Sequence, residues 1–170
     1  IRNSAKEMLI SYHRKAETDE NVKSILSNRI KAEYEFFVSK DFKLLPDKDG
    51  ARFHGIIDVI SKENAGEITF GDWKTGKSKA SFEQLKFYSI FGFRAFKGIN
   101  TIRAKLIYLD QDKVDEMVIT RDESREIENS FLEETEMILS DVDHKRNFKQ
   151  SCIDYCEYFK ECNPIMNKTR

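Results

Sequence analysis

The stretch FHGIIDVISKENAGEITFGDWK, which runs from Phe53 to Lys74, decides the fold. It contains two apolar runs, Phe53 to Ile60 and Glu67 to Trp73, and the polar residues 61–66 between them have the length of a hairpin connection. The stretch therefore predicts two antiparallel strands. Both faces of this hairpin are largely apolar, which is typical of central strands that are covered on both sides.

The sequence on either side of the hairpin predicts helices and further strands. Apolar residues at helical spacing predict the helices Asn3 to Lys15, Asn21 to Ile30, Ser81 to Phe96 and Arg121 to Leu139. Aromatic and β-branched runs predict the strands Ala32 to Val38, Thr101 to Leu109 and Val114 to Thr120, and a turn at Pro46 to Gly50. This order predicts one α/β domain over residues 1–170, with a mixed sheet flanked by helices and a cysteine-containing tail at residues 145–170.

The composition is that of a globular chain with little net charge. Of the residues, 39% are hydrophobic and 35% are charged, and the net charge of -1 argues against nucleic-acid binding by charge alone. Basic residues nevertheless cluster between Lys74 and Lys105, which permits a local phosphate-binding face. No stretch approaches the roughly 20 apolar residues of a membrane-spanning helix, and no signal-peptide pattern occurs, so we expect a cytoplasmic protein.

The hairpin carries three polar side chains with catalytic potential, Asp58, Asp72 and Lys74. Because side chains alternate along a strand, Asp72 and Lys74 share one face. If the hairpin closes with Lys62 opposite Gly66, Asp58 lies across from Phe70 and diagonal to Asp72, at roughly 7 to 8 Å. A register shift by one residue would place Asp58 on the wrong face.

Two carboxylates at that separation can share one divalent cation. Hard oxygen ligands favour Mg²⁺ or Mn²⁺, which lower the pKa of a bound water and neutralise charge on an attacked phosphate. Lys74 could orient that water or stabilise the transition state electrostatically. Taken alone, the same three residues are also compatible with ordinary polar positions at strand ends.

Three linked motifs surround these residues: Gly55-Ile-Ile-Asp58, Asp72-Trp-Lys74-Thr-Gly-Lys77 and Gln84-Leu-Lys-Phe-Tyr88. Their order and spacing resemble the RecB-like nucleases of the PD-(D/E)XK superfamily, over roughly Glu33 to Tyr88. The resemblance implies a restriction-endonuclease-like core and metal-dependent hydrolysis of DNA. It further implies exonucleolytic action in recombination, repair or phage DNA processing, with a helicase or recombination protein as a partner.

The resemblance also implies roles for single residues. It makes Lys74 the catalytic lysine, and it places a Mg²⁺ or Mn²⁺ ion on Asp58, Asp72 and the backbone carbonyl of Trp73. The helix motif, with its Gln and Tyr one helical turn apart, implies contact with nucleic acid. The residues to which this contact is assigned are Gln84, Tyr88 and Lys77.

Two features of the family have only ambiguous matches. An acidic residue on the first strand corresponds either to Glu33 or to Glu35. The metal-binding His that many relatives carry on an early helix has no counterpart in Ile1 to Tyr12. His13 lacks the surrounding motif, and His54 alternates onto the face of Asp58.

Two other functions fit parts of the sequence. Residues Gly71 to Ser78 formally match the phosphate-binding loop of a P-loop NTPase, although a strand of an antiparallel hairpin and a bulky Trp73 suit that loop poorly. A catalytically silent DNA-binding module with the nuclease fold is the second alternative. The presence of both aspartates and the lysine argues against it.

The three cysteines of the chain, Cys152, Cys156 and Cys162, lie close together in the tail. Their segment resembles the C-terminal cysteine group that holds a [4Fe-4S] cluster in AddB-like and CRISPR-associated RecB-like nucleases. There a fourth cysteine precedes the nuclease core, at a position before Ile1, and three thiolates do not complete the cluster. The alternative is that these cysteines are small buried hydrophobic residues.

Overall fold

Four helices and six strands lie in the part of the chain that the computed structural model describes, residues 2–75, 81–111 and 113–141. The helices are α1 (Arg2–Thr18), α2 (Glu20–Ser27), α3 (Glu83–Ala95) and α4 (Arg121–Ser140). The strands are β1 (Arg29–Val38), β2 (Leu44–Leu45), β3 (Phe53–Asn64), β4 (Glu67–Lys74), β5 (Thr101–Tyr108) and β6 (Lys113–Thr120). Most of these elements follow the predicted order, with β2 as an additional short strand.

The junction between α2 and β1 lies earlier than the sequence predicts. The predicted helix over Asn21 to Ile30 ends at Ser27, and Arg29 already pairs with β3. The backbone carbonyl of Asn28 also accepts a hydrogen bond from the N–H of Lys62, at 3.0 Å. Sheet pairing therefore withdraws these residues from the helix, and this long-range contact leaves no sign in the helical spacing.

The connection of the central hairpin is shorter than predicted. Asn64 pairs with Glu67, so only Ala65 and Gly66 connect the strands, and Ser61 to Asn64 belong to β3. Gly66 has φ +83°, a conformation that residues with a Cβ atom rarely adopt. A tight turn with this glycine lets both strands extend further than the polar composition of residues 61–66 suggests.

The six strands form one sheet in the order β2-β1-β3-β4-β5-β6. Only the β4–β5 pair is parallel, and a parallel pair needs a crossover connection, in which α3 lies. The other four pairs are antiparallel. This mixed sheet with flanking helices confirms the predicted α/β, restriction-endonuclease-like fold class.

Hydrophobic side chains cover both faces of the sheet, as the apolar hairpin predicts. On one face, α3 packs Leu85 and Phe91 into a core that includes Phe70 of β4 and Leu106 of β5. On the other face, Val22 and Ile25 of α2 form a smaller cluster with Val59 of β3 and Ile107 of β5. Leu106 and Ile107 are neighbours in β5, and their division between the two clusters follows the alternation of a strand.

The chain comprises two compact units, Ile1–Leu132 and Glu133–Arg170. The first holds the sheet, α1 to α3 and the beginning of α4. Of the second unit, the structure describes residues 133–141. None of the helices in the described ranges combines the length and apolar content that crossing a membrane requires.

Candidate metal and catalytic site

Asp58 and Asp72 lie level with each other on β3 and β4. The register runs through the pairs Ser61–Thr69, Ile60–Phe70 and Val59–Gly71, and its next step brings Asp58 opposite Asp72. The predicted register, with Asp58 across from Phe70, is wrong because the ladder shifts between Ser61 and Asn64. Asp58 and Asp72 are thus the first residues beyond the paired part of the hairpin, and the charge of Asp58 acts on the Asp72 carboxyl.

The two strands stop pairing at this level, and Asp58 takes over as a partner of the β4 backbone. Its Oδ2 atom accepts a hydrogen bond from the N–H of Trp73, at 2.8 Å. On its other side β4 stays paired with β5 as far as Lys74 and Tyr108. The Asp58 carboxylate is thereby fixed to the residue whose carbonyl the family resemblance assigns to the metal.

Asp72 is a buried carboxylate with a charged neighbour. It is 6% exposed, and the Nζ atom of Lys74 lies 2.5 Å from its Oδ2 atom. Burial raises the pKa of Asp72 above its usual value, Lys74 opposes that rise, and the negative charge of Asp58 adds to it. A second positive charge at this position would therefore stabilise the ionised form.

Lys74 connects this carboxylate to α3. Its Nζ atom donates to Oε1 of Gln84 at 3.5 Å, and the Gln84 amide donates to the Tyr88 hydroxyl at 2.9 Å. Gln84 is exposed, whereas Tyr88 is buried and packs edge-to-face against Phe36, with ring centroids 5.0 Å apart. The structure thus brings the lysine and both helix residues into one chain of contacts.

Gly55, the first residue of the Asp58 motif, makes room for this arrangement. A Cβ atom at this position would lie 2.2 Å from the ring of Phe36 and 2.8 Å from that of Tyr88. Both distances are far shorter than van der Waals contact. The close approach explains why this strand carries a glycine beside two aromatic rings.

Glu33 lies level with Asp58 on β1. Ala32 pairs with Val59 and Tyr34 with Ile57, and Glu33 between them has φ +47°, a rare conformation for a residue with a side chain. Such a backbone costs roughly 1 to 3 kcal/mol and is often found at functional sites. Of the two acidic candidates on this strand, the structure places Glu33 beside Asp58.

The remaining candidates lie elsewhere. Glu35 is 3.9 Å from the imidazole of His54, which stacks on Phe37 with ring centroids 4.8 Å apart. His13 is exposed on α1. Lys77, the P-loop residues 76–78 and Cys152, Cys156 and Cys162 lie outside the described residues.

Several of the basic residues between Lys74 and Lys105 form ion pairs in the described ranges. Arg94 makes a bidentate ion pair with Glu128. Arg103 pairs with Glu67 and Glu116, and Lys105 is buried and also pairs with Glu116. These three side chains make separate structural ion pairs, and the local phosphate-binding face stays a prediction because part of its sequence lies outside the described residues.

A cavity of about 350 Å³ opens beside Asp58, on the side of the sheet that α1 and α2 cover. Its polar and aromatic lining consists of Tyr12, Arg29, Glu33, Asp58 and Trp73, and its apolar lining of Leu26, Ala32 and Val59. Tyr12 and Arg29 are contributions that sequence analysis missed. They come from α1 and from the start of β1, and no local motif marks their approach to the hairpin.

The residues at the site fit a divalent cation with retained waters. Within the described ranges, no group of three His, Cys, Asp or Glu side chains is close enough to enclose a metal ion by itself. Mg²⁺ does not need such a cage, since it keeps several waters and takes one or two protein carboxylates. Burial and the charge of Asp58 both oppose the ionisation of Asp72, and a bound cation would favour it.

Comparison with known proteins agrees with this geometry. A family model described as the PD-(D/E)XK nuclease superfamily matches residues 2–163. No curated protein matches the sequence. Gly71 to Lys74, which a P-loop would need as a loop, are strand residues of β4. The match spans nearly the whole chain, including both aspartates and the lysine, and the chain therefore belongs to the PD-(D/E)XK nuclease superfamily, whose members are typically metal-dependent nucleases.

Proposed function

We propose that this chain is a RecB-like, Mg²⁺- or Mn²⁺-dependent deoxyribonuclease that removes nucleotides from DNA ends. The observation that carries the proposal is the level placement of Asp58 and Asp72 where two strands part, with Lys74 paired to Asp72. Two carboxylates and a lysine suit metal-assisted phosphodiester hydrolysis. Superfamily membership supports the reaction class, and the three linked motifs support the RecB-like type.

Asp58, Asp72 and the carbonyl of Trp73 would hold the metal. When bound, the ion supplies an activated water and neutralises charge on the attacked phosphate. Asp58 binds the Trp73 backbone, so the first carboxylate and the adjoining carbonyl are held together before any ligand arrives. Such fixed placement is what makes a site effective without reorganisation during the reaction.

Lys74 would stabilise the negative charge that builds on the phosphate. Asp72 and Gln84 hold its ammonium group between them, and Tyr88 orients the Gln84 amide from within the core. Gln84 is the exposed member of this chain and so the one best placed to contact DNA directly. Lys77, three residues beyond Lys74, is proposed as a phosphate contact on the family resemblance alone.

The test is degradation of end-labelled linear DNA and closed circular DNA with Mg²⁺ or Mn²⁺. Lys74→Ala should lower the rate on linear DNA by at least about a hundredfold, the usual cost of losing one transition-state charge donor. Lys62→Ala is the matched control, because Lys62 is an exposed lysine of β3 outside the site. Equal rates for Lys74→Ala and the parent would overturn the assignment.

Other outcomes would redirect it. Equal cleavage of circular DNA would replace the exonuclease by an endonuclease. DNA binding without Mg²⁺-dependent hydrolysis would favour the catalytically silent module. Tight ATP binding would revive the P-loop interpretation of residues 71–78.

The iron-sulfur cluster stays a prediction from the cysteine pattern. If Cys152, Cys156 and Cys162 join a fourth cysteine, anaerobically purified full-length protein should be brown and contain near-equal amounts of iron and sulfide. A colourless, iron-free preparation that still degrades DNA would remove the cluster and leave the nuclease untouched. A single-domain organisation, a cytoplasmic location, a role in recombination, repair or phage DNA processing, and a helicase or recombination partner are predictions of the same kind.

A further inference from the structure

An exposed arginine, Arg29, lines the cavity beside Asp58. Arg29 is the only basic residue in its lining, and no ion pair or side-chain hydrogen bond engages its guanidinium within the described ranges. Two other arginines, Arg94 of α3 and Arg103 of β5, pair with glutamates. An unpaired guanidinium in a concave site is available to a ligand, and phosphate is the group that its fork of donors fits best.

The cavity also has an aromatic wall. Trp73 and Tyr12 meet edge-to-face, with ring centroids 5.3 Å apart and planes at 81°. The Ser11 hydroxyl, next to Tyr12, donates to the Leu109 carbonyl, and the Leu109 N–H donates to the Lys74 carbonyl at 2.9 Å. This part of α1 is therefore tied to the end of the strand that carries the site. Aromatic rings fixed in this way can stack against a nucleobase.

Asp58 connects the aromatic wall of the cavity to the candidate catalytic site. Trp73 stands between Asp72 and Lys74 in sequence, and Asp58 lines the same cavity. Because side chains alternate along β4, the Trp73 ring lies on the face opposite to Asp72 and Lys74, and a base against it would lie beside Asp58 of the site. The volume of about 350 Å³ is at the small end of ligand pockets, which suits a single nucleotide and not a base pair.

We propose that the Tyr12–Arg29–Trp73 cavity binds one unpaired nucleotide of the DNA strand being cleaved, with its base on the aromatic wall and its phosphate on Arg29. The proposal rests on the proposed nuclease function and narrows its substrate to single-stranded DNA or an unpaired end. A fully paired duplex must first open, which costs unpairing and unstacking energy. Glu33 and Asp58 would repel the phosphate, so Arg29 is the residue of this lining that decides its binding.

Trp73 is the only tryptophan of the chain, which makes its fluorescence a direct measure of occupancy. A single-stranded oligothymidylate of about ten residues, within the usual range of single-strand site sizes, is titrated into Lys74→Ala protein with Mg²⁺. We expect the oligonucleotide to quench Trp73. A second substitution in this protein, Arg29→Ala, should weaken binding of the oligonucleotide by about tenfold, which corresponds to about 1.4 kcal/mol. Arg29→Lys, which keeps the charge but not the fork, should restore part of the affinity.

Arg52→Ala serves as the matched control, since Arg52 is an exposed arginine ahead of β3 that does not line the cavity. Equal weakening by Arg29→Ala and Arg52→Ala would overturn the proposal. So would cleavage by the parent protein of a blunt, GC-rich hairpin duplex as fast as the single strand, for which we expect a rate at least about tenfold lower. Full activity of Lys74→Ala would instead contradict the nuclease assignment, while the titration would still decide what the cavity binds.

Discussion

The two ends of β4 differ, since one end is paired on both sides and the other carries the candidate site. From Thr69 to Gly71 the strand is paired with β3 and β5, and its side chains are buried. From Asp72 to Lys74 it keeps only β5 as a strand partner, and the side chain of Asp58 replaces β3. The pairing ends at the position where the carboxylates meet.

Electrostatics divides the strand in the same way. Near its start, Glu67 shares Arg103 with Glu116 of β6. Burial opposes the ionisation of Glu116, but Arg103 and Lys105 outweigh it and hold its pKa below the usual value. At the other end, burial and Asp58 raise the pKa of Asp72. The first group of charges is complete in itself, whereas an added cation would stabilise the ionised form of Asp72 in the second group.

The largest expected effect is the loss of cleavage when an aspartate of the site becomes neutral. Asp58→Asn and Asp72→Asn should each lower the rate by about a thousandfold, since a metal contributes several kcal/mol of charge stabilisation and each 1.36 kcal/mol is a factor of ten. Calorimetric titration with Mn²⁺ should show weaker binding in both variants. Undiminished Mn²⁺ affinity in both would count against a shared metal site.

A change in the paired half of β4 provides the contrast. Ile68 is fully buried, and Ile68→Val should lower the free energy of unfolding by about 1 kcal/mol. Its rate of cleavage and its Mn²⁺ affinity should match those of the parent below the unfolding transition. The two halves of the strand would not be functionally distinct if this variant lost metal affinity as the aspartate variants do.

A smaller effect concerns the metal-free protein and its dependence on pH. In the folded protein the pKa of Asp72 is raised, so on raising the pH the unfolded chain loses the Asp72 proton before the folded protein does. The free energy of unfolding therefore falls as the pH rises from about 4 through the folded pKa. Asp72→Asn removes this term and should raise the free energy of unfolding at pH 7 by about 1 kcal/mol, the ordinary size of a point-mutation effect. Urea unfolding in EDTA at pH 4 and pH 7 measures it.

Asp41→Asn, at an exposed aspartate outside the site, is the matched control for the loss of a carboxylate. A loss of stability at pH 7 in Asp72→Asn would show that the ion pair with Lys74 outweighs the cost of burial. The comparison between the two ends of β4 would then no longer hold.

The smallest expected effect lies at the complete charge network. The lowered pKa of Glu116 stabilises the fold above its unfolded value of about 4.5, and this contribution is lost as pH falls through the folded pKa. Glu116 is 36% exposed, so solvent screens it, and Glu116→Gln should cost less than about 1 kcal/mol at neutral pH. Urea unfolding at low and high salt, with Glu126→Gln as an exposed control, tests whether the difference shrinks as screening increases.

Much of the fold could be predicted because its central elements are strongly apolar and bounded by turn residues. The hairpin, α3 and the β5–β6 pair lie within a few residues of their predicted positions. The register of the hairpin could not be predicted, since it depends on the irregularity between Ser61 and Asn64. The end of α2 likewise depends on pairing between Arg29 and a strand some thirty residues away.

The candidate site likewise contains residues that a local motif predicts and residues that only long-range contacts bring together. Asp58, Asp72 and Lys74 belong to one hairpin, so a local motif is enough to group them. Tyr12, Arg29 and Glu33 reach the cavity from other elements, and nothing in their local sequence marks them. Glu33 stands beside Asp58 only through the β1–β3 register and its unusual backbone.

The hydrogen bond from the Trp73 N–H to Asp58 also occupies a backbone donor that the open side of β4 would otherwise expose. A strand that loses its partner exposes backbone donors and acceptors, and these can recruit a foreign strand and begin aggregation. The Asp58 carboxylate accepts from the Trp73 N–H where β4 loses its β3 partner, so this donor is not available to a strand of another chain. An asparagine at position 58 keeps an oxygen that can accept this hydrogen bond, whereas an alanine would leave the Trp73 N–H without that acceptor.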